Sequence, residues 1–256
     1  MSEFTGPDDY HKHFDPKAYL AIYYPVDGDT LPKHLPFVLE RLAKIFGKVK
    51  GDTMIDIGTG PTIYQLLSAC EAFKNVIVSD FTDKNREEFK TWLTNQPGAH
   101  DWSPVVKYVC QLEGNRISWK EKEDNLRKAI KRILKCDVLL SNPLDPVVLP
   151  QADCILSCLA LESACKDQQA YVTALNNVTS LLKPGGHLVL TGALESHYYM
   201  VGEVKFSGLF LTEKFIRESL SGIGYVVESF ETSEKEFRED VTKYAGVFVM
   251  VARRNA

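Results

Sequence analysis

The chain has 256 residues, 45% of them apolar, enough for one large buried core or two small ones. Its 30 Lys and Arg against 34 Asp and Glu leave a formal charge of −4, which argues against a general nucleic-acid or anionic-membrane surface. No apolar run reaches the ~18 residues of a membrane span, and the polar, acidic and aromatic stretch Met1 to Asp15 has no apolar core of a secretory signal.

Residues 1–31 differ in character from the rest. Tyr10 and Phe14 are spaced i, i+4, as are Tyr19 and Tyr23, with Tyr24 adjacent and Pro16 and Pro25 interrupting. Two short helices with aromatic faces fit this pattern. Either an arm packed on the core or a lid over a flat ligand accounts for them. An amphipathic helix follows over Lys33 to Phe46, with Leu35, Val38, Leu39, Leu42, Ile45 and Phe46 near helical spacing. The apolar periodicity then predicts strand one at about 53–57, a helix at about 62–72, and strand two over Asn75 to Asp80. Thr82 caps a helix running to about Leu93. A loop rich in Pro, Gly and Trp covers 95–104, Val105 to Cys110 reads as strand three, and Trp119 to Lys135 as a long helix. Ala152 to Cys158 is strand four. Gln168 to Leu182 is a helix closed by Lys183-Pro184-Gly185-Gly186, and His187 to Leu194 is strand five. Thr212 to Ile223 is helical, and Val226 to Glu231 and Gly246 to Val251 are strands joined by a 14-residue polar link.

Five strands alternating with helices imply a parallel sheet with right-handed crossovers, while the last two strands should pair as an antiparallel hairpin at an edge. No repeat, low-complexity tract or linker divides the chain, so one domain over 1–256 is expected. The six cysteines, Cys70, Cys110, Cys136, Cys154, Cys158 and Cys165, form no CxxC pair and lie mostly among apolar residues. They read as small buried hydrophobes in a reducing cytosol, and neither they nor the histidines have metal-ligand spacing. A cytoplasmic protein without a metal site is expected.

In an open α/β sheet, ligands bind beyond the carboxyl ends of the strands, near the switch in strand order. There stand Asp56-x-Gly58-Thr59-Gly60 after strand one, Asp80 after strand two, Asp137 before strand four, and Cys158 to Glu162 after strand four. Asp80 lies 24 residues beyond Asp56, near the separation at which an acid accepts hydrogen bonds from ribose hydroxyls. A solvated turn aspartate is the plainer alternative. A nicotinamide dinucleotide wants G-x-G-x-x-G around its pyrophosphate, but here the third glycine is Ile63. S-adenosylmethionine needs the ribose carboxylate and has no phosphate to cradle, so the motif favours methyl transfer over hydride transfer.

The run Asp56-Ile57-Gly58-Thr59-Gly60-Pro61-Thr62-Ile63-Tyr64-Gln65 closely resembles the cofactor motif of the small-amine N-methyltransferase family, which includes the nicotinamide, indolethylamine and phenylethanolamine enzymes. The likeness extends to His13-Phe14-Asp15-Pro16, Ser79 to Arg86, Leu134 to Val138, Leu181 to Leu188 and Tyr199 to Gly202. The runs Ser79 to Arg86 and Lys183 to Leu188 look most like the indolethylamine (thioether) branch. The resemblance implies a Rossmann-like class I methyltransferase sheet, helices on both faces, a C-terminal antiparallel hairpin and an N-terminal aromatic lid. It further implies that Tyr19 and Tyr24 close over S-adenosylmethionine, with Gly58, Thr59, Gly60 and Tyr64 lining its methionine end. Asp80 and Asn85 would hold the ribose, Asp137 and Val138 would read the adenine edge, and Cys158 would stand against the cofactor.

On the acceptor side the likeness is mixed. Nicotinamide enzymes place an aspartate at Gly192 and a serine at Gly208. The run Gly192 to Glu195 resembles the phenylethanolamine branch, whose second consecutive glutamate is Ser196 here and whose other pocket glutamate is matched by Glu162. Expected catalytic carboxylates are Glu162 and Glu195, able to relay the proton of an arriving ammonium. Tyr199, Ser196, Tyr23 and Leu159 are expected around the substrate. The expected activity is N-methylation of a small aromatic amine such as tryptamine, by a monomer with no nucleic-acid or membrane partner. Methylation of a pyridine, a phenylethanolamine or a thioether, or non-catalytic S-adenosylmethionine binding, are the alternatives.

Overall fold

The computed structural model describes residues 5–28, 30–233 and 240–256. Two short helices, α1 (Pro7–His13) and α2 (Pro16–Tyr23), each begin with proline in the first turn, where a missing N–H costs nothing. The Asp15 carboxylate caps α2 by accepting from the N–H groups of Lys17 and Ala18. After α3 (His34–Phe46) come β1 (Gly51–Ile57), a 3₁₀ turn at Tyr64–Leu66, α4 (Ala69–Ala72), β2 (Phe73–Asp80), α5 (Asp83–Leu93), α6 (Ser103–Leu112), α7 (Trp119–Ala129) and β3 (Ile130–Lys135). The second half contains β4 (Ala152–Cys158), α8 (Leu161–Ala164), α9 (Gln168–Thr179), β5 (Leu182–Leu194), β6 (Tyr198–Val201), β7 (Val204–Ser207), α10 (Glu213–Gly222), β8 (Tyr225–Thr232), β9 (Thr242–Lys243) and β10 (Gly246–Arg254).

The main sheet has the order β3-β2-β1-β4-β5-β10-β8. The first five strands are parallel, and β10 runs antiparallel between β5 and the edge strand β8, as expected. Residues 234–239 of the polar link between them lie outside the described residues. Alternate residues feed two cores. Met54 of β1, Cys154 and Leu156 of β4, and Val247, Val249 and Val251 of β10 face α3 to α7. Ile55 and Ile57, Ile155, and Phe248, Met250 and Ala252 face α9 and α10. Such strands are apolar on both sides because helices cover both faces. A second sheet, β7-β6-β9, was not foreseen, and it stands beside the amino-terminal helices.

Four sequence expectations are corrected. Val105 to Cys110 is not a strand but lies within α6. Its buried residues Val105, Val106, Val109 and Cys110 make one helical face, and that packing overrides the strand preference of valine. The third strand is instead β3, because the helix expected to reach Lys135 stops at Ala129. Ile130, Ile133 and Leu134 then pair along β2, and Lys131, Arg132 and Lys135 project from an exposed sheet edge. The helix expected at 62–72 is broken, since the Gln65 amide donates to the Thr59 and Thr62 carbonyls that a regular helix would use. Finally, α9 ends at Thr179, and Lys183 to Gly186 form an irregularity at the start of β5, where pairing with β4 shifts from Ala152↔Leu182 to Cys154↔His187.

Away from the strand ends, Lys122 of α7 is fully buried, with its ammonium 2.5 Å from Glu71 and bonded to Glu113. Ser68 donates to the other Glu113 oxygen at 2.8 Å. The cluster ties α4, α6 and α7 together. Lys122→Ala leaves two partly buried carboxylates facing each other, and urea titration is expected to show a loss of ~3–5 kcal/mol.

Candidate active site

The chain leaves β1 toward β2 on one side and reaches β4 on the other, so a crevice opens beyond their carboxyl ends. A cavity of about 670 Å³ occupies it. Its floor is the turn after β1, where Gly58 and Gly60 have φ of +72° and +62°. At Gly58 a side chain is excluded, since an added Cβ would stand 2.3 Å from the Ala160 Cβ. At Gly60 an added Cβ meets nothing within 4 Å, so that side of the turn is an open cradle. The turn is fastened from below. Thr59 donates its N–H to the Ser79 carbonyl at 2.9 Å, Ser79 Oγ donates to the Asp56 carbonyl at 2.8 Å, and Gln65 Nε2 donates to Asp56 Oδ2 at 3.0 Å.

Asp80, at the end of β2, is buried and accepts four hydrogen bonds. Gly60 N–H reaches Oδ2 at 2.8 Å, and Thr82 N–H, Thr82 hydroxyl and the Asn85 amide reach Oδ1 at 3.0, 3.3 and 3.0 Å. Burial still raises its pKa. The Asn85 amide is fixed by this bond, which leaves its buried Oδ1 without a partner. On the other rim, the Asp137 carboxylate accepts the Leu139 N–H at 3.0 Å, and Asn177 donates to the Val138 carbonyl at 2.9 Å. Cys158 and Leu159 close the wall after β4. Leu159 has φ +53°, a left-handed backbone unusual for a branched residue.

Aromatic rings roof the cavity. Tyr24 stacks on Tyr64 with centroids 5.4 Å apart, and Tyr19 lies 5.0 Å from Tyr23 and 5.9 Å from Tyr24. Burial raises the pKa of Tyr19, Tyr24 and Tyr64, so all three stay neutral. The Tyr23 hydroxyl donates to the Met200 and Val241 carbonyls at 3.1 and 3.2 Å, anchoring α2 to the small sheet. Tyr199 of β6 bonds hydroxyl to hydroxyl with Tyr10 of α1. Beside them Glu162 is buried, and its Oε1 accepts the Ala193 N–H at 2.8 Å. Burial pushes its carboxyl up to about 7.

All the expected site residues line this cavity except Glu195. The backbone turns left-handed at Glu195, φ +51°, and its side chain is exposed while Ser196 is buried in the wall. That single turn decides which of the two neighbours faces inward. Sequence reasoning missed Tyr10, Ser163 and Gln65 as part of the site. Tyr10 was visible as half of an aromatic pair with Phe14, but its partner Tyr199 is 189 residues away.

A Rossmann-like sheet, a two-glycine turn without a third glycine and a buried acid after the second strand together define a methyltransferase. The NNMT/PNMT/TEMT family model matches residues 2–255, and the chain belongs to that family. It is 50% identical to nicotinamide N-methyltransferase from Sus scrofa over 99% of this chain and 97% of the relative. It is also 50% identical to indolethylamine N-methyltransferase from Oryctolagus cuniculus, covering 98% and 97%. Identity to phenylethanolamine N-methyltransferase from Homo sapiens is 40%, covering 95% and 90%. In fold, the chain is similar to magnesium protoporphyrin IX methyltransferase from Synechocystis PCC 6803 solved with bound SAM, with a TM-score of 0.61 at 13% identity over the whole of both chains. With the family come transferase chemistry of the EC 2.1.1 class and S-adenosylmethionine as methyl donor. Among the described residues, no helix is long and apolar enough to cross a membrane.

Because Glu162 binds its proton more tightly folded than unfolded, it takes stability away as pH rises from ~4.5 toward ~7. Gln keeps the acceptor for Ala193 and never ionises. The thermal midpoint of Glu162→Gln relative to wild type, without ligand, should therefore climb between pH 5 and pH 8.

Proposed function

We propose that the whole chain, 1–256, works as one methyltransferase domain with residues 1–31 as its lid, and methylates the amine of a small aromatic amine such as tryptamine. A cytoplasmic monomer suffices for this reading. S-adenosylmethionine supplies a methyl group on a sulfonium, ready for in-line transfer to a neutral lone pair.

The residues present suit that donor. Asp80 Oδ2, with one hydrogen bond, and the partnerless Asn85 Oδ1 are acceptors for ribose hydroxyls. The open side of Gly60 and the Gly58-Thr59 turn leave room for its methionine end, and Tyr64 backs them. Asp137 and Val138 stand at the adenine edge, Cys158 fills the wall, and Tyr19 and Tyr24 exclude water from above.

The observation that carries the acceptor reading is Glu162. A primary amine arrives as an ammonium, and its lone pair is free only after a proton leaves. Glu162 faces the cavity with one oxygen held by Ala193 and no salt-bridge partner among the described residues, and its pKa near 7 suits proton acceptance at neutral pH. Ser196, Tyr23, Leu159 and Tyr199 shape the space in which the aromatic ring is held. Glu195 lies too exposed to take the relay.

The nicotinamide alternative is disfavoured by filled space. A Cβ at Gly192 would come 2.6 and 2.8 Å from the Phe248 ring and 3.1 Å from Glu162 Oε1, and one at Gly208 would come 2.1 Å from Ser196 Oγ. Phe248, Glu162 and Ser196 occupy the volumes that larger residues there would need. Gly192→Asp should lower the thermal midpoint without raising nicotinamide turnover.

In steady-state assays across an acceptor panel, Glu162→Gln should cut kcat/KM for tryptamine by ~100-fold or more and remove the acid limb near pH 7. Pyridine and thioether acceptors carry no proton to remove and should be spared. Equal losses for all acceptors would refute the relay.

A further inference from the structure

Asp56 is fully buried directly below the cavity floor, and beyond anchoring Gln65 its side chain has no role in the reading above. One carboxylate oxygen takes the Gln65 amide, whereas the other is buried and meets no hydrogen-bond partner at bonding distance among the described residues, and the nearby Thr59 side chain offsets burial only in part. A carboxylate so sparsely hydrogen-bonded is poorly stabilised as an anion. Among the described residues, its surroundings add no cation. The titratable groups that face it are Asp80 from β2, Cys136 from the loop after β3, Cys154 and Cys158 from β4, and Tyr64 from the 3₁₀ turn. Burial raises the pKa of each of the three thiols and of the phenol, so they are neutral at neutral pH, and Asp80 is itself a carboxylate. The next three residues of the chain, Ile57 at the end of β1 and Gly58 and Thr59 in the turn, line the cavity, as do Tyr64 and Cys158. A positive charge in that cavity is therefore the missing counter-ion.

We propose that Asp56 is a positioning residue by which the site tells the charged methyl donor from its neutral spent product, exchanging a proton with solvent as it does so. S-adenosylmethionine carries a sulfonium, an ammonium and a carboxylate, a net charge of +1. S-adenosylhomocysteine has lost the methyl group and the sulfonium charge, and its net charge is zero. With the donor bound, Asp56 is ionised under the sulfonium. Once the methyl group has moved to the acceptor, the positive charge has moved with it, and Asp56 takes a proton back from solvent. Protonation is also supported without ligand, because burial pushes its carboxyl up to about 7. Alkaline conditions then favour donor over product at the same site.

This inference rests on the methyl-donor reading and not on the identity of the acceptor. Isothermal titration of the full chain with S-adenosylhomocysteine and with sinefungin, which carries an ammonium where the sulfonium stands, tests it without turnover. The sinefungin Kd should tighten ~10-fold from pH 6 to pH 8, as a single carboxyl titrating near 7 requires, while that of S-adenosylhomocysteine stays flat. At pH 7, sinefungin binding should release protons, read as a dependence of the binding heat on the buffer's ionisation heat, and S-adenosylhomocysteine should release fewer. Asp56→Asn keeps an acceptor for Gln65 and should abolish the difference, whereas Glu162→Gln should retain it. The same pH dependence for both ligands in wild type overturns the proposal whatever the variants do, as does its persistence in folded Asp56→Asn. Failure of both ligands to bind would instead refute the methyl-donor reading.

Discussion

Three carboxylates, Asp56, Asp80 and Glu162, are buried around one cavity, and among the described residues none forms a salt bridge with Lys or Arg. Burying an unpaired anion is costly, and a fold keeps such groups only where something else repays the expense. The methyl donor of the family carries a sulfonium, and the amine acceptor proposed above arrives as an ammonium, so both would bring positive charge to this cavity. Of the two basic residues lining the cavity, Lys33 is solvent-exposed and His34 is half-buried. Burial pushes His34 down to about 4, so it stays neutral. The same negative potential that destabilises the empty protein is what would draw both reactants in, and perturbed acids are thus informative about chemistry as well as stability.

The rest of the architecture serves to hold those acids. Asp80 ends β2 with four donors converging on it, two of them from Thr82, which also caps α5. Asp56 sits on the central strand with Gln65 looping back to hold it. Glu162 rides on a one-turn helix directly after β4, where the left-handed Leu159 redirects the chain. Strands buried on both faces make these ends rigid, and the turns between them carry the strain. The roof is of another kind. α1 has no fully buried residue and is held by side-chain contacts such as Tyr10 to Tyr199 and Thr5 to Ser207 at 2.7 Å. A segment held mainly by such contacts belongs to the less stable end of a fold.

Much of this was legible in the sequence. Strands β1, β2, β4 and β10 announce themselves as short apolar runs, and Asp56-x-Gly58-Thr59-Gly60 marks the switch point because only glycine permits the approach of Ala160. The losses have physical causes. Valines in α6 and isoleucines in β3 follow the same local preferences, and long-range packing alone decides between helix and strand for them. Gln65 looked like an ordinary helical residue until its amide was seen to break the helix it stands in. In the small β7-β6-β9 sheet, β6 and β7 form a local hairpin turning at Gly202, but β9 pairs with β6 across more than forty positions, for which no local signal exists.

The acceptor side shows why family likeness stops short of a substrate. One left-handed residue, Glu195, turns its own side chain outward and Ser196 inward. Glu162 is then left as the single buried acid among the expected acceptor-side residues, and glycine at 192 is what admits it. The added Cβ there would press on both the Phe248 ring and the Glu162 oxygen. The shape of the acceptor side thus depends on which positions are empty as well as on which polar residues are present. A glycine on β5 makes room for a carboxylate from α8, and a glycine after β7 makes room for a hydroxyl from the turn after β5.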